Sequence, residues 1–346
     1  MSSVLDTQQN IPSLEEKDTV FDQALRPKAW DGYIGQESIK NNLRILLDAA
    51  KTRSETPEHL LFYGPAGLGK TTLAHLIAKE LNTQMKITSG RAIERVGDLA
   101  SLLTNLSPGD ILFIDEIHRL NKNIEEVLYP AMESGNLDII IGKGPSARSI
   151  QLELPAFTLV AATTRIGMLS SPLRSRFSGG TFRLNFYTKE EIEKIIINSA
   201  KVLEINLDQE AAEEIAKRCR YTPRIANHFL KRCRDFAQVK GSEVITKDLA
   251  LGALKLMDID EKGLGYHDRR LLEILIDKFN GGPVGLQTLA AATSEDETTI
   301  MEVCEPYLIQ LGFIDRTPRG RVATFNAYKH LGKIPSATSY AQQTFI

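Results

Sequence analysis

An α/β fold built on a parallel sheet, then a small helical bundle, then a winged helix is what this chain predicts. Three observations predict it. Short continuous apolar runs alternate with helical stretches from about 58 to 187. Helical periodicity alone governs about 188 to 258. Beyond that, three helices precede two strands joined by a tight turn. The length of 346 residues suits two or three domains, at roughly 100 to 200 residues each.

The elements follow in order. Residues 1–20 read as a loose polar arm. His59-Leu60-Leu61-Phe62-Tyr63 reads as a buried strand, and Thr71 to Leu81 as a helix. Ile111-Leu112-Phe113-Ile114 is a second buried strand and Phe157 to Ala162 a third. Strands apolar on both faces, alternating with helices, belong to a parallel sheet covered on each side. Leu137 to Ile141 and Ser149 to Leu154 read as a hairpin around Gly142 to Arg148. The first large domain is therefore placed at 21–187.

In 188–258, Lys189 to Leu203, Asp208 to Arg220 and Pro223 to Val239 read as bundle helices. Asp260 to Gly265 reads as a linker to a last domain at 261–346. There His267 to Phe279, Leu286 to Ala292 and Glu297 to Leu311 are helical. Phe313 to Arg316 and Arg321 to Phe325 flank Thr317-Pro318-Arg319-Gly320. Pro second and Gly fourth suit a type I turn. The outline is that of a winged helix, a relative of helix-turn-helix modules.

Composition narrows the class. With 42 Lys+Arg against 44 Asp+Glu the formal charge is −2, which argues against a globally basic nucleic-acid binder. The balance is uneven: residues 261–315 hold four basic and ten acidic side chains, and 316–346 hold five basic and none acidic. No apolar run approaches the roughly 18 residues of a membrane span, and Met1 to Val20 is too polar for a secretory signal. Cys219, Cys233 and Cys304, an odd count without CxxC spacing, indicate neither disulfide framework nor zinc site. That usage fits a reducing compartment, the cytoplasm.

Five places carry chemistry. Gly64-Pro65-Ala66-Gly67-Leu68-Gly69-Lys70-Thr71 fits the P-loop pattern G-x-x-x-x-G-K-[ST] between a strand and a helix. Its glycines let backbone N–H groups curl around phosphate oxygens, and the helix start adds a positive dipole end. Lys70 would reach the β- and γ-phosphates and Thr71 would ligate Mg²⁺. Asp115-Glu116 ends the second strand. Asp115 can hold the Mg²⁺ shell, and Glu116 can deprotonate an attacking water.

The third place is Thr163-Thr164 at the end of the next strand. A hydroxyl there either touches the γ-phosphate or closes its own turn. The fourth is Arg174 and Arg176 in Ser171 to Phe177, which read as salt-bridge partners or as a fork-shaped cation for a neighbouring subunit's phosphoryl group. The fifth is Tyr221-Thr222-Pro223-Arg224. Thr222 suits an N-cap and Pro223 the first helical position. Arg224 in the first turn is disfavoured by the helix dipole unless an anion joins it.

Together these places make the sequence similar to the AAA+ ATPases and, more narrowly, to the RuvB family of bacterial Holliday-junction branch-migration motors. The resemblance runs from about Leu25 to Lys329. It is also carried by Leu25-Arg26-Pro27-Lys28, Tyr33-Ile34-Gly35-Gln36, LFIDEIHRL (112–120), TPRIAN (222–227), GGPVGL (281–286) and EPYLIQLGFIDRTPRGR (305–321). The last two lie outside the ATPase core and separate this family from clamp loaders and replication initiators.

The resemblance implies an ATPase using ATP and Mg²⁺ in DNA recombination, DNA repair and the SOS response to DNA damage. It implies a homohexamer, as a finger acting in trans needs a ring or filament. Its partners would be the duplex DNA arms of Holliday junctions, RuvA docked on the hairpin at about 137–154, and the RuvC resolvase in a larger complex. Leu25 and Arg26 would pack on the nucleotide with Tyr187 near the adenine. Gly67, Gly69, Lys70, Thr71 and Thr72 would hold phosphates, with Thr71 and Asp115 on the metal. Thr164 rather than Thr163 would be sensor 1, Arg176 rather than Arg174 the finger, and Arg224 sensor 2. Glu133-Ser134-Gly135 would be another nucleotide-proximal stretch, and Arg316, Arg319 and Arg321 the DNA-backbone contacts. Three departures stand out: Ala66 for a second Pro, Ser178-Gly179-Gly180-Thr181 for a shorter Phe-Gly-Ile run, and Tyr221 for a Gly.

Overall fold

The computed structural model describes residues 23–141 and 148–335, without the side chains of 139–141, 148 and 149. The polar arm at 1–20, the tip of the 137–154 hairpin with its three isoleucine side chains, and residues 336–346 lie outside the described residues. Two compact units form: one runs to Tyr187 and takes in Lys201–Glu204, the other holds Thr188–Ala200 and everything from Ile205 on.

The first unit is built on a five-stranded sheet of β1 (Leu60–Tyr63), β2 (Met85–Ser89), β3 (Ile111–Asp115), β6 (Thr158–Thr163) and β7 (Gly180–Arg183). Its order is β2-β3-β6-β1-β7, and every pairing is parallel. The three strands read from sequence are the central three. Their residues alternate between faces, and both faces are dry: Leu61, Leu112, Ile114, Leu159 and Ala161 join one core cluster, while Phe62 and Phe113 are fully buried outside it. The edge strands β2 and β7 escaped the sequence reading because each is half-exposed and carries no apolar run. β4 (Asn136–Ile141) and β5 (Arg148–Glu153) pair antiparallel as the expected hairpin.

His59 shows how tightly the strand starts are tied. Its Nδ1 accepts the Leu159 N–H at 2.9 Å while Nε2 meets the Met132 carbonyl at 3.0 Å. Those partners require a neutral ring, and burial holds its pKa below the ordinary histidine value.

The second unit begins with helix Lys189–Val202 as far as Ala200, followed by helices Gln209–Arg218, Pro223–Val239 and Lys247–Leu256. The last was not expected. It buries Ala250, Ala253 and Leu254, a face too small-sided to give a strong periodic signal. A two-residue parallel pair, β8 (Asn206–Leu207) with β9 (Val244–Ile245), joins them.

The winged helix follows as helices Tyr266–Asp277 and Leu286–Thr293, then Glu297–Thr299, a π turn Ile300–Cys304 and Glu305–Gln310. β10 (Ile314–Thr317) and β11 (Gly320–Ala323) close it. Val284 exchanges both backbone hydrogen bonds with Arg321, adding a third strand segment. Gly320 is needed for that approach, because a Cβ there would lie 2.2 Å from the Val284 carbonyl oxygen.

The stretch at 260–265 is a built turn rather than a loose linker. Asp260 Oδ1 accepts the Lys262 and Leu264 N–H groups at 2.8 and 2.9 Å, and Leu264 is fully buried.

A histidine whose folded pKa lies below its unfolded value binds fewer protons folded than unfolded, so stability falls as pH drops below the unfolded pKa. Thermal unfolding from about pH 7.5 down to about pH 5.5 should show such a loss. His59→Gln, which cannot titrate, should flatten that acid-side slope.

Candidate functional site

β6 lies between β1 and β3, so the three strands end side by side, and each end carries a segment singled out in the sequence. The crevice beyond the carboxyl ends of parallel strands is where such sheets bind ligands. The loop Gly64 to Gly69 leaves β1 and enters helix Lys70–Glu80. Gly64, Gly67 and Gly69 take positive φ of 141°, 78° and 98°, conformations glycine adopts without steric cost. At Gly64 a Cβ would also strike the Leu184 carbonyl oxygen at 2.5 Å.

Two tyrosines hold this loop from outside. The Tyr187 hydroxyl donates to the Leu68 carbonyl at 3.0 Å and lies 3.3 Å from the Tyr33 hydroxyl. Tyr33 sits against Gly69, where a Cβ would meet its oxygen at 2.9 Å. Burial, with the neighbouring Tyr187, pushes the Tyr33 pKa well above its ordinary value. Lys70 is buried and turns its amine onto the Gly64 and Pro65 carbonyls, each at 2.8 Å. Thr71 and Thr72 occupy the first helical turn, half-buried. Arg26 reaches the same helix, its Nη1 2.6 Å from His75 Nε2. Leu25 precedes it, half-buried. Bent backbone, a helix N-terminus and a lysine at its base fit a polyphosphate and its metal.

The second cluster joins β3 to β6. Asp115 Oδ1 accepts the Glu116 N–H at 2.9 Å. Glu116 stands at φ 48°, a left-handed conformation uncommon for glutamate. That turn aims its carboxylate across the strand ends. Oε2 accepts the Thr164 hydroxyl at 3.1 Å and the Thr164 N–H at 3.3 Å. His118 Nδ1 lies 3.0 Å from the same oxygen and 2.9 Å from the Thr163 hydroxyl. Burial holds the His118 pKa below its ordinary value. The two threonines thus differ in position: Thr163 is fully buried against His118, and Thr164 is half-buried against Glu116.

A third cluster gathers Arg176 with Glu133. Arg176 Nη2 pairs with Glu133 Oε1 at 3.0 Å, Nη1 donates to the Pro172 carbonyl at 2.6 Å, and the guanidinium lies 4.3 Å over the Tyr129 ring. Its Nε is buried without a hydrogen-bond partner among the described residues. Arg174 is exposed. Ser134 and Gly135 follow Glu133, the serine hydroxyl donating to the Pro130 carbonyl at 3.0 Å. The segment 133–135 therefore meets Arg176, and no described hydrogen bond joins it to the P-loop.

In the second unit Arg224 is exposed in the first turn of Pro223–Val239. Thr222 stands at the N-cap position, yet its hydroxyl donates to the Arg220 carbonyl at 2.9 Å instead of capping the helix. Arg220 and Tyr221 both take left-handed φ, 54° and 53°. From that turn Arg220 pairs with buried Asp268, donates to the Gly263 carbonyl at 3.0 Å and stacks over Tyr307. The Tyr221 ring packs 6.3 Å from Tyr307. The start of the Arg224 helix is thereby fastened to the winged helix. On the wing, Arg319 is exposed at the turn, and Arg316 and Arg321 both pair with Glu305.

Sequence reasoning assigned no role to Tyr33, His118, Arg220 or Glu305. Tyr33, His118 and Glu305 lie inside segments that carry the family resemblance, but only the fold brings them to their partners.

Comparison with known proteins adds a family. Three family descriptions match in succession: "Holliday junction DNA helicase RuvB P-loop domain" over residues 25–184, "RuvB AAA lid domain" over 187–260 and "RuvB C-terminal winged helix domain" over 261–332. Among solved structures the chain is similar to the RuvB Holliday junction branch migration motor of Thermotoga maritima. Identity is 48%, TM-score 0.83, with 90% of this chain and 99% of that chain covered. A threonine-to-valine variant of that protein matches with TM-score 0.82 at the same identity and coverage. A lysine-to-arginine variant matches at 48% identity and TM-score 0.83, covering 89% of this chain and 98% of its own.

Removing one partner of a buried ion pair leaves an uncompensated charge and costs about 3 kcal/mol or more. Asp268→Ala should therefore lower the thermal midpoint of the full-length protein by several degrees, read by calorimetry.

Proposed function

The chain belongs to the RuvB family, and from that premise we propose how its residues divide the work of an ATP-driven branch-migration motor. The observation that carries the proposal is the contact of Glu116 with Thr164 at strand ends beside the P-loop.

In this reading Lys70 exchanges the Gly64 and Pro65 carbonyls for β- and γ-phosphate oxygens, and Gly67, Gly69 and Thr72 complete the cradle. Leu25, Arg26 and Tyr187 line the base and sugar side. Thr71 and Asp115 would hold Mg²⁺, which neutralises charge on the phosphates when bound. Glu116 takes the proton of the attacking water. Thr164 serves as sensor 1: its hydroxyl has one proton to donate, to the γ-phosphate or to Glu116, so the loss of the phosphate changes what holds the base. His118 keeps Glu116 in place meanwhile.

Arg176 is the finger for the neighbouring subunit. Its pair with Glu133 of the same subunit then has to open for the guanidinium to reach a neighbour's phosphates. Ser134 and Gly135 then belong to the same face. Arg224 is sensor 2, and the Arg220–Asp268 pair passes its movement to the head. Arg316, Arg319 and Arg321 contact the backbone of duplex DNA, so binding is salt-sensitive and nearly independent of sequence. The working assembly is a homohexamer on the duplex arms of a Holliday junction, with RuvA on the β4–β5 hairpin and RuvC in a larger complex. We place it in the cytoplasm, in recombination, repair and the response to DNA damage. The working division is an arm at 1–20, an ATPase domain at 21–187, a lid at 188–258 and a head at 261–346.

Two measurements test the assignment. Glu116→Gln should retain ATP binding while its turnover falls about a hundredfold or more; a variant as fast as wild type would remove Glu116 as the base. Arg176→Ala should lose roughly a thousandfold in turnover yet recover part of it when mixed with Lys70→Ala, because mixed interfaces pair an intact finger with an intact P-loop. Absence of rescue at every mixing ratio would exclude action in trans.

A further inference from the structure

Glu305 is the most deeply buried carboxylate of the winged helix, with no exposure at all. It opens helix Glu305–Gln310 and lies under the wing. Arg316 on β10 and Arg321 on β11 stand directly opposite one another in the antiparallel register. Like charges in that position repel. Here a single carboxylate receives both. Arg316 gives Nε at 2.8 Å and Nη2 to Oε2. Arg321 gives Nε to Oε1 at 2.6 Å and Nη2 to Oε2 at 3.4 Å.

Three consequences follow. The two cations and one anion sum to a single positive charge. Both guanidinium planes are fixed by more than one bond, which suits the fork geometry of arginine. Neither Nη1 makes a described hydrogen bond; the Arg316 side chain is 51% exposed and the Arg321 side chain 15%. A buried carboxylate contributes little stability over an apolar residue of the same size, so stability alone does not account for it.

We infer that Glu305 is a positioning residue for phosphodiester binding: it holds exposed Arg316 beside the more buried Arg321 in one fixed arrangement for a stretch of DNA backbone. This rests on the reading that the wing arginines touch DNA. Without Glu305 the two guanidiniums separate, and their order has to be recovered at each binding event.

Positioning and bulk electrostatics predict opposite signs. Glu305→Gln removes a negative charge buried beneath a DNA-binding face, so electrostatics alone predicts tighter binding. Positioning predicts weaker binding, by about tenfold. The experiment is fluorescence-anisotropy titration of a labelled duplex by the full-length protein across a salt series, with E305Q, R316A, R321A and wild type. The expected result is that R316A and R321A weaken binding and lower the salt slope by about one each, and that E305Q also weakens it. If R316A and R321A bind as wild type, the DNA reading of the wing fails and the inference fails with it. If they weaken binding while E305Q binds equally or more tightly, positioning alone is overturned. Should E305Q unfold below the assay temperature, E305D replaces it: the charge is kept but withdrawn by one methylene, so weaker binding supports positioning and wild-type binding overturns it.

Discussion

Three strand ends must lie side by side for the nucleotide site to exist, and the pairing of β6 between β1 and β3 is what puts them there. Leu61 faces Ala161 and Ile114 faces the same alanine from the other side. That register sets Tyr63 opposite Thr163, with the Gly64 N–H on the Thr163 carbonyl. The P-loop, the Asp115-Glu116 pair and Thr164 are carried on strands apolar on both faces. Such strands bury about as much apolar area as a strand can, so the chemistry stands on the buried centre of the sheet.

Charge is the organising element of the second unit. Arg220–Asp268 ties the turn before the Arg224 helix to the first helix of the winged fold, and Glu305 binds the two sides of the wing. Each is a buried carboxylate that would be costly alone. The contribution of such pairs is to fix which surfaces meet, where apolar packing would tolerate a slide. Tyr221 adds to this. Glycine would hold its left-handed φ more easily, whereas the tyrosine side chain reaches the core of the winged helix.

Much of this was legible in the chain. The central strands showed as apolar runs, the P-loop as a spacing of glycines before Lys70, and the wing as two strands around Thr317-Pro318. Edge strands β2 and β7 were not legible, since half-exposed strands lack the apolar run. Helix Lys247–Leu256 was missed because its buried face is mostly alanine and leucine at short spacing. The stretch at 260–265 has a linker's composition, yet Asp260 folds it into a hydrogen-bonded turn.

The sequence by itself determined the class of fold and the family, because these depend on local patterns: period, motif spacing and turn chemistry. Only the tertiary structure decided partnerships. It turned Glu116 through a left-handed backbone onto Thr164 and His118, directed Arg176 to Glu133, and gave Arg316 and Arg321 one carboxylate to share. Apart from the near neighbour His118, those contacts join residues 11 to 48 positions apart. No local period encodes such distances; they follow from which strands pair and which faces are buried together.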